Sequence, residues 1–101
     1  MTKTLQPIHP GEILSEEFLK PLGITASRLA SDIDVPGSRI SEIVNGNRAL
    51  SADTAVRLGI YFDMDAQFWL NLQMEYDLRQ ARAELVPALK ARIRKRVAAP
   101  A

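Results

Sequence analysis

The sequence predicts a single all-α domain of five helices, followed by a basic helical extension. Apolar residues recur at intervals of three and four along the chain, which is the spacing of one helix face. No alternating apolar and polar stretch is long enough to indicate a β-strand. Residues that favour helix starts and ends punctuate the chain at short intervals. With 101 residues, the chain is long enough for one small core.

The first helix is expected to begin at Pro10, because proline has no N–H to leave unpaired at a helix start. Residues 1–9 before it are expected to form a flexible leader. The helix carries an apolar stripe of Ile13, Leu14, Phe18 and Leu19. The sequence Pro-Leu-Gly at 21–23 should end this helix, since glycine often follows a helix end.

The second and third helices are predicted to be short and joined by a tight turn. Thr25 is a typical N-cap for the second helix. The third helix covers about 36–45, with Pro36 in its first turn and Gly46 just past its end. Asp34 lies in the turn, where it tolerates a left-handed conformation better than most residues. The residues expected to pack these helices together are Leu29, Ala30, Ile33, Val35, Ile40 and Ile43.

Ser51 and Asp65 are typical N-cap residues for the fourth and fifth helices. The fourth helix carries Ala55, Leu58 and Phe62 on one face, and the fifth carries Phe68, Trp69, Leu72 and Tyr76. Pro87 is expected to break the fifth helix, because proline lacks the N–H that a helix interior needs. The extension is assigned to residues 81–101.

Two short helices separated by three or four residues are typical of a helix-turn-helix. At 100° per residue, Ile40, Ile43 and Val44 lie on one side of the third helix. Its other side is short, polar and rich in hydrogen-bonding groups, which suits the major groove of DNA. The same polar face is also compatible with simple exposure to solvent, but the joint spacing, turn and cap favour DNA. We therefore interpret the third helix as the reading helix of a DNA-binding domain at 10–80.

The predicted DNA-contacting residues form a base-facing and a phosphate-facing group. The base-facing group on the reading helix comprises Gly37, Ser38, Arg39, Ser41, Glu42 and Asn45. Arg39 suits guanine, Asn45 suits adenine or a phosphate, and Glu42 suits cytosine, although Glu42 is also placed to orient Arg39. The phosphate-facing group comprises Thr25, Ser27, Arg28, Asn47 and Arg48.

The charge distribution is asymmetric, although the formal net charge is only +1. The first helix is acidic through Glu12, Glu16 and Glu17. The C-terminal part is basic through Arg79, Arg82, Lys90, Arg92, Arg94, Lys95 and Arg96, opposed only by Glu84. This asymmetry indicates different partners for the two ends, the alternative being a solvated basic tail.

No catalytic constellation is evident, and we expect no enzymatic activity, no metal and no cofactor. The chain has no cysteine, and its one histidine, His9, cannot by itself form a metal site or a triad. His9 is expected to cap or pack against the first helix. No apolar run approaches a membrane span and no signal peptide is recognisable, so a prokaryotic cytoplasmic location is expected.

The segments HPGEIL at 9–14 and FWLNLQ at 68–73, with the helix-turn-helix between them, carry a family resemblance. From residue 8 to residue 78 the chain resembles the HigA antitoxins, also called VapI-like proteins, of the XRE (lambda-repressor-like) helix-turn-helix class. The resemblance implies a five-helix DNA-binding fold, a homodimer, and repression of its own operon by binding double-stranded operator DNA in the nucleoid. It also implies a partner toxin of the RelE/HigB class that cleaves mRNA.

Two further surfaces follow from these expectations. Toxins that bind RNA are usually basic, so the toxin is expected to dock on Glu12, Glu16 and Glu17 of the first helix. The run FWLNLQMEY is rich in large apolar residues for so small a domain. The dimer interface is therefore assigned to Phe68, Trp69, Leu72 and Tyr76.

Two alternatives to an antitoxin remain open. One is a solitary XRE-family transcription regulator without a toxin partner, which the presence or absence of a neighbouring gene for a basic RelE-like protein would separate from an antitoxin. The other is an interaction module that has lost DNA binding. If the chain does dimerise on DNA, two-fold pairing predicts reading helices about 34 Å apart and a palindromic operator.

Overall fold

A computed structural model describes residues 8–98 of the chain as five helices and no strand. The first, α1, covers 10–22 in three consecutive segments, Pro10–Ile13, Leu14–Leu19 and Lys20–Leu22. The others are α2 (Ala26–Asp32), α3 (Gly37–Val44), α4 (Ala52–Phe62) and α5 (Ala66–Arg92). The predicted all-α class with five helices is confirmed. Most of the leader predicted at 1–9 lies outside the described residues.

The helix starts are capped as the sequence predicts. Thr25, Ser51 and Asp65 each accept a hydrogen bond from a backbone N–H two or three residues further on, at 2.9–3.2 Å. Such caps pair one of the N–H groups that a helix start leaves without an intrahelical acceptor. After α1, Gly23 has a left-handed backbone with φ of 65°, and Asp34 has φ of 59° in the turn after α2. The predicted boundaries therefore rest on the expected local chemistry.

α1 contains a feature that the sequence analysis did not predict. Its segment Leu14–Leu19 is a π-helix, in which the N–H of Lys20 donates to the carbonyl of Ser15, five residues earlier. The widened turn comes directly before Pro21, which has no N–H to donate. The proline is the one local signal that a regular α-helix would be interrupted here.

The core lies where all five helices meet. Its fully or nearly fully buried apolar residues are Leu14, Leu19, Leu29, Ala30, Ile33, Ile40, Ile43, Leu50, Ala55, Leu58 and Trp69. Trp69 lies among Phe18, Phe68 and Phe62, with ring centroids 4.9, 5.1 and 6.2 Å away. The buried Gln73 accepts a hydrogen bond from the N–H of Leu50 at 2.7 Å. This bond fastens α5 to the segment between α3 and α4.

α5 continues through Pro87 to Arg92, so the predicted break at this proline is wrong. Proline removes one helical hydrogen bond, but in the exposed half of α5 water can satisfy the carbonyl of Ala83 that is left without a donor. The helix has 27 residues and is therefore about 40 Å long. Every described side chain from residue 82 onward is exposed, and residues 93–98 have no regular structure. None of the helices described is both long and apolar enough to cross a membrane.

His9 is the N-cap residue of α1, as the sequence suggested. Its Nδ1 accepts a hydrogen bond from the N–H of Gly11 at 2.9 Å. Its ring packs edge-on against Tyr76 of α5, with centroids 4.9 Å apart. Burial lowers the pKa of His9 below its ordinary value of 6.5, although the backbone carbonyl of Arg48 and the carboxylate of Asp77 oppose the shift. The imidazole is therefore kept neutral, which leaves Nδ1 free to accept.

The stability of the fold is expected to decrease with pH because of His9. Its folded-state pKa lies below its unfolded-state pKa, so the unfolded chain binds more protons between the two values. The stabilisation by neutral His9 is complete above the unfolded value of 6.5 and is lost as pH falls through that value toward the folded pKa. Urea unfolding between about pH 7.5 and about pH 5 measures this slope. His9→Asn keeps a capping acceptor that does not titrate, so an equally steep slope in that variant would contradict the assignment.

Candidate nucleic-acid interface

α2 and α3 form a helix-turn-helix through the turn at 33–36. The small Ala30 is 1% exposed and Ile40 is fully buried, so the helices approach closely at these positions. Within the turn, the N–H of Val35 donates to the carbonyl of Ala30 at 3.0 Å. The turn thus has the geometry that the spacing predicted.

Arg57 of α4 holds this turn in place, and the sequence analysis missed it. Its Nη1 donates to the carbonyls of Ile33 and Asp34 at 2.7 and 3.1 Å. Its Nε donates to Asp53, four residues earlier on the same helix, at 2.7 Å. The pair of Asp53 and Arg57 at helical spacing was visible in the sequence. The contact with carbonyls more than 20 residues away was not, because it depends on how α4 packs.

The outer face of α3 is exposed as predicted. Ser38, Ser41 and Asn45 are exposed, whereas Ile40 and Ile43 on the opposite face are fully buried. Gly37 at the start of the helix is also exposed, and a Cβ built on it would have no protein atom within 4 Å among the described residues. The fold therefore does not require glycine at this position. Its small size leaves the start of α3 open to the close approach of another molecule.

Arg39 does not stand clear of the protein as expected. Its side chain turns toward α4, where Nη1 lies 4.0 Å from Oδ1 of Asp53, and only 31% of the side chain is exposed. Its Nε is buried and has no hydrogen-bond partner in the described part of the chain. Arg39 therefore lies at the edge of the exposed face of α3, where α4 limits its reach.

Glu42 pairs with Arg48, and the suggestion that it orients Arg39 is wrong. The Nε of Arg48 donates to Oε1 of Glu42 at 2.7 Å, with both side chains partly exposed. The pair links α3 to the turn that follows it. Glu42 therefore positions a cation of the phosphate-facing group, and in this geometry it is not free to accept from a base.

The remaining phosphate-facing residues are at the surface. Ser27, Arg28 and Asn47 are exposed, and the exposed Thr25 uses its hydroxyl oxygen to accept the capping hydrogen bond from Arg28. The Nε of Arg28 lies 3.0 Å from a carboxylate oxygen of Asp32. The hydroxyl of Thr25 still has its own proton, which a phosphate oxygen is able to accept.

The cations of this surface are already held by carboxylates. Arg28 pairs with Asp32, Arg48 pairs with Glu42, and Arg39 approaches Asp53. Exposed pairs of this kind contribute only about 0–1 kcal/mol each. A phosphate is therefore able to replace the carboxylate at low free-energy cost, while the pairs fix each guanidinium near the exposed face of α3.

The other two predicted surfaces differ in outcome. Glu12, Glu16 and Glu17 of α1 are all exposed, and Glu16 forms an ion pair with Lys20. Trp69 is fully buried within the chain, so its assignment to a dimer interface is wrong.

The three other residues assigned to the dimer interface also contact the chain's own core. Leu72 and Tyr76 are partly buried, and Phe68 is 38% exposed. The large apolar residues that α5 leaves exposed beyond them are Met74, Leu78, Leu85, Val86 and Leu89. The apolar surplus of α5 therefore lies nearer its C-terminal end than the sequence analysis placed it.

Known proteins share this fold and sequence. A family model for helix-turn-helix domains, HTH_3, matches residues 16–69. Virulence-associated protein I of Dichelobacter nodosus is 56% identical over 77 residues, which cover 76% of this chain and 71% of the relative. The structure of Pseudomonas aeruginosa antitoxin HigA with the higBA promoter is 45% identical, with a TM-score of 0.87, covering 90% of this chain and 99% of that one. Antitoxin GraA in complex with its operator is 39% identical, with a TM-score of 0.87 and coverages of 97% and 99%.

Proposed function

Because the chain belongs to the XRE-type helix-turn-helix family HTH_3, we propose that it is the antitoxin of a toxin–antitoxin pair and represses its own operon by binding operator DNA. Its partner is a RelE/HigB-like toxin that cleaves mRNA, and the antitoxin neutralises it by direct binding. The protein acts in the prokaryotic cytoplasm, where operator binding associates it with the nucleoid. The DNA-binding unit is assigned to residues 10–80.

The observation that supports DNA binding best is the exposed face of α3. Ser38, Ser41 and Asn45 present short hydrogen-bonding groups beside a glycine that the fold does not need. A helix of this kind fits the major groove, where side chains at its N-terminal end reach the base edges. The guanidinium groups of Arg28 and Arg48 and the hydroxyls of Thr25 and Ser27, with Asn47, are assigned to phosphates. Binding should weaken steeply with salt, because each neutralised phosphate releases counterions.

Replacing Ser38 and Asn45 together with alanine is expected to lower operator affinity at least about tenfold. Each base contact contributes about 1–3 kcal/mol of discrimination, and both side chains are exposed, so the fold should be unaffected. Fluorescence anisotropy with an operator duplex and with a scrambled duplex, at one fixed salt concentration, measures the loss.

Ser31→Ala is the matched control for this experiment. Ser31 is equally exposed but lies near the end of α2, outside the assigned groups. If the double variant binds operator as tightly as Ser31→Ala does, α3 is not the reading helix. Arg39 is less suited to this test, because its contact with Asp53 would also be lost.

The toxin is proposed to dock on the acidic surface of α1 formed by Glu12, Glu16 and Glu17. All three are exposed and lie on a different helix from the α3 face, so one chain is able to hold toxin and DNA at once. Changing all three to lysine is expected to weaken binding of the co-expressed basic toxin at least about tenfold, by like-charge repulsion. Operator affinity, measured in the same preparation, should not fall. Unchanged capture of the toxin by the reversed variant would remove this assignment.

The dimer is proposed to form through α5. Phe68, Leu72 and Tyr76 retain some exposed surface, and the exposed residues Met74, Leu78, Leu85 and Leu89 extend the apolar surface along the helix. A monomer would leave this surface in water, which a second copy is able to cover. Two copies related by a two-fold axis would present two reading helices to a palindromic operator.

A further inference from the structure

We propose that two copies of the chain pair their α5 helices in antiparallel orientation, and that residues 93–97 of each copy dock in an acidic cleft at the start of α5 of the other. This inference rests on the proposed dimer and adds its direction and a second contact site. The segment 93–97 is called the basic tail below, and the cleft is the one beside Asp63 and Asp65.

The first observation is the position of the exposed apolar stripe on α5. At 100° per residue, Met74, Leu78, Leu85 and Leu89 fall within about 60° of one another. The buried residues Trp69 and Gln73 lie on a different side of the same helix. The stripe is therefore turned away from the domain's own core. Its side chains are 37–62% exposed, so another helix has access to it along most of its length.

The second observation is the charge gradient along this helix. The segment before α5 and the first part of α5 carry Asp63, Asp65, Glu75 and Asp77. The end of α5 and the basic tail carry Lys90, Arg92, Arg94, Lys95 and Arg96. Parallel pairing would bring two basic ends together, and like charges there repel. Antiparallel pairing places each basic end beside the other copy's acidic beginning, so electrostatics select that orientation.

The third observation is a cleft at the acidic beginning of α5. It has a volume of about 410 Å³, and its lining includes Val56, Ile60, Asp63, Met64 and Asp65. Val56 and Ile60 are 51% and 78% exposed, which is high for apolar side chains on a packed helix. Across residues 8–98, neither Asp63 nor Asp65 forms an ion pair. The cleft therefore combines apolar surface with two carboxylates that lack a cation.

The basic tail has complementary chemistry. Ile93 and Val97 are 63% and 87% exposed, and they flank Arg94, Lys95 and Arg96. Within the described part of the chain, none of these three cations pairs with a carboxylate. Two apolar side chains around three cations match two exposed apolar side chains beside two carboxylates.

The tail cannot reach the cleft of its own chain. Residues 66 and 92 are the two ends of α5, which are about 39 Å apart along a straight helix. Residues 93–97 are able to span at most about 17 Å when fully extended. In an antiparallel pair, residue 92 of one copy lies beside the first half of α5 in the other copy, and the remaining distance is within that reach. The cleft is therefore accessible only to the tail of a second copy.

Disulfide cross-linking tests this arrangement, because the chain has no cysteine of its own. The two single variants Ile60→Cys and Val97→Cys are made at highly exposed positions and mixed in equal amounts before oxidation, with a short bis-maleimide as a second cross-linker. We expect a covalent dimer from the mixture and none from either variant alone. Val97→Cys mixed with Ser31→Cys, at an exposed site on α2, is the control and should stay unlinked.

A second arm removes the charge of the cleft and leaves its caps intact. Asn tolerates both the left-handed backbone at residue 63 and the N-cap position at residue 65. The combined Asp63→Asn and Asp65→Asn variant is expected to raise the dimer dissociation constant several-fold, up to about tenfold, by analytical ultracentrifugation. The same change in a chain carrying Arg94→Glu, Lys95→Glu and Arg96→Glu should have a much smaller effect, because the interaction is already lost.

The possible outcomes separate the two proposals. A monomeric unmodified chain in ultracentrifugation would overturn the dimer and this inference together. A stable dimer in which Val97→Cys cross-links to itself would indicate parallel pairing and overturn this inference alone. No cross-link between the mixed variants by either reagent would do the same. So would a tail reversal that lowers operator affinity and leaves dimerisation unchanged, because the tail would then bind DNA.

Discussion

The Gly11→Ala variant is expected to lose most of its stability and, with it, its operator binding. A Cβ on Gly11 would lie 1.7 Å from the carbonyl oxygen of Ile43 and 2.9 Å from the Cα of Val44. These atoms are backbone atoms of the reading helix, so no rotamer change is able to relieve the overlap. Added volume in a packed core usually costs about 1–3 kcal/mol, and an overlap with backbone should cost at least the upper value.

Gly37→Ala is the matched control for this variant. Both glycines lie in the first turn of a helix, but a Cβ on Gly37 has no described protein atom within 4 Å. That change should leave the free energy of unfolding unaltered or raise it by up to about 1 kcal/mol, the difference in helix propensity between the two residues. Urea unfolding followed by circular dichroism compares the two. Equal midpoints for the two variants would contradict the close approach of α1 to α3.

The Trp69→Ala variant is expected to lose about 3–5 kcal/mol of stability, the usual cost of removing a fully buried large aromatic side chain. The three phenylalanines around Trp69 belong to α1, α4 and α5, so the cavity would loosen three helices at once. A domain of this size has perhaps half to all of that margin to lose, since total stabilities are about 5–15 kcal/mol. Thermal and urea unfolding, followed by circular dichroism, measure the loss.

Trp69→Phe distinguishes packing from hydrogen bonding at this site. The indole N–H is buried and has no acceptor among residues 8–98, so phenylalanine removes a polar group that is costly to bury. We therefore expect a much smaller loss than for alanine. If Trp69→Ala weakened dimerisation and left the unfolding free energy unchanged, the residue would belong to an interface and not to the core.

The proposed functions occupy separate surfaces of one small domain. The reading face lies on α3, the acidic surface for the toxin on α1, and the dimer surface on α5. Gly11 connects the first two, because α1 contacts the end of α3 at this residue. A toxin that displaced α1 would therefore also disturb the reading helix. This contact is a direct physical route by which toxin binding is able to change operator affinity.

The helices and the reading face were predictable from the sequence because they depend on residues close together in the chain. Thr25, Ser51 and Asp65 cap helices through backbone N–H groups at most three residues away. The exposure of Ser38 and Asn45 follows from the helical spacing of buried Ile40 and Ile43. Local chemistry and periodicity are sufficient for such features.

Only the tertiary structure decided which side chains of these elements are free. Trp69 is buried and its neighbour Phe68 is not, because three phenylalanine rings surround the one and only partly cover the other. Arg39 turns to Asp53, and Arg57 reaches carbonyls 23 and 24 residues away. These contacts depend on the angles at which helices cross, and those angles are set by the packing of the whole core rather than by any short stretch of sequence.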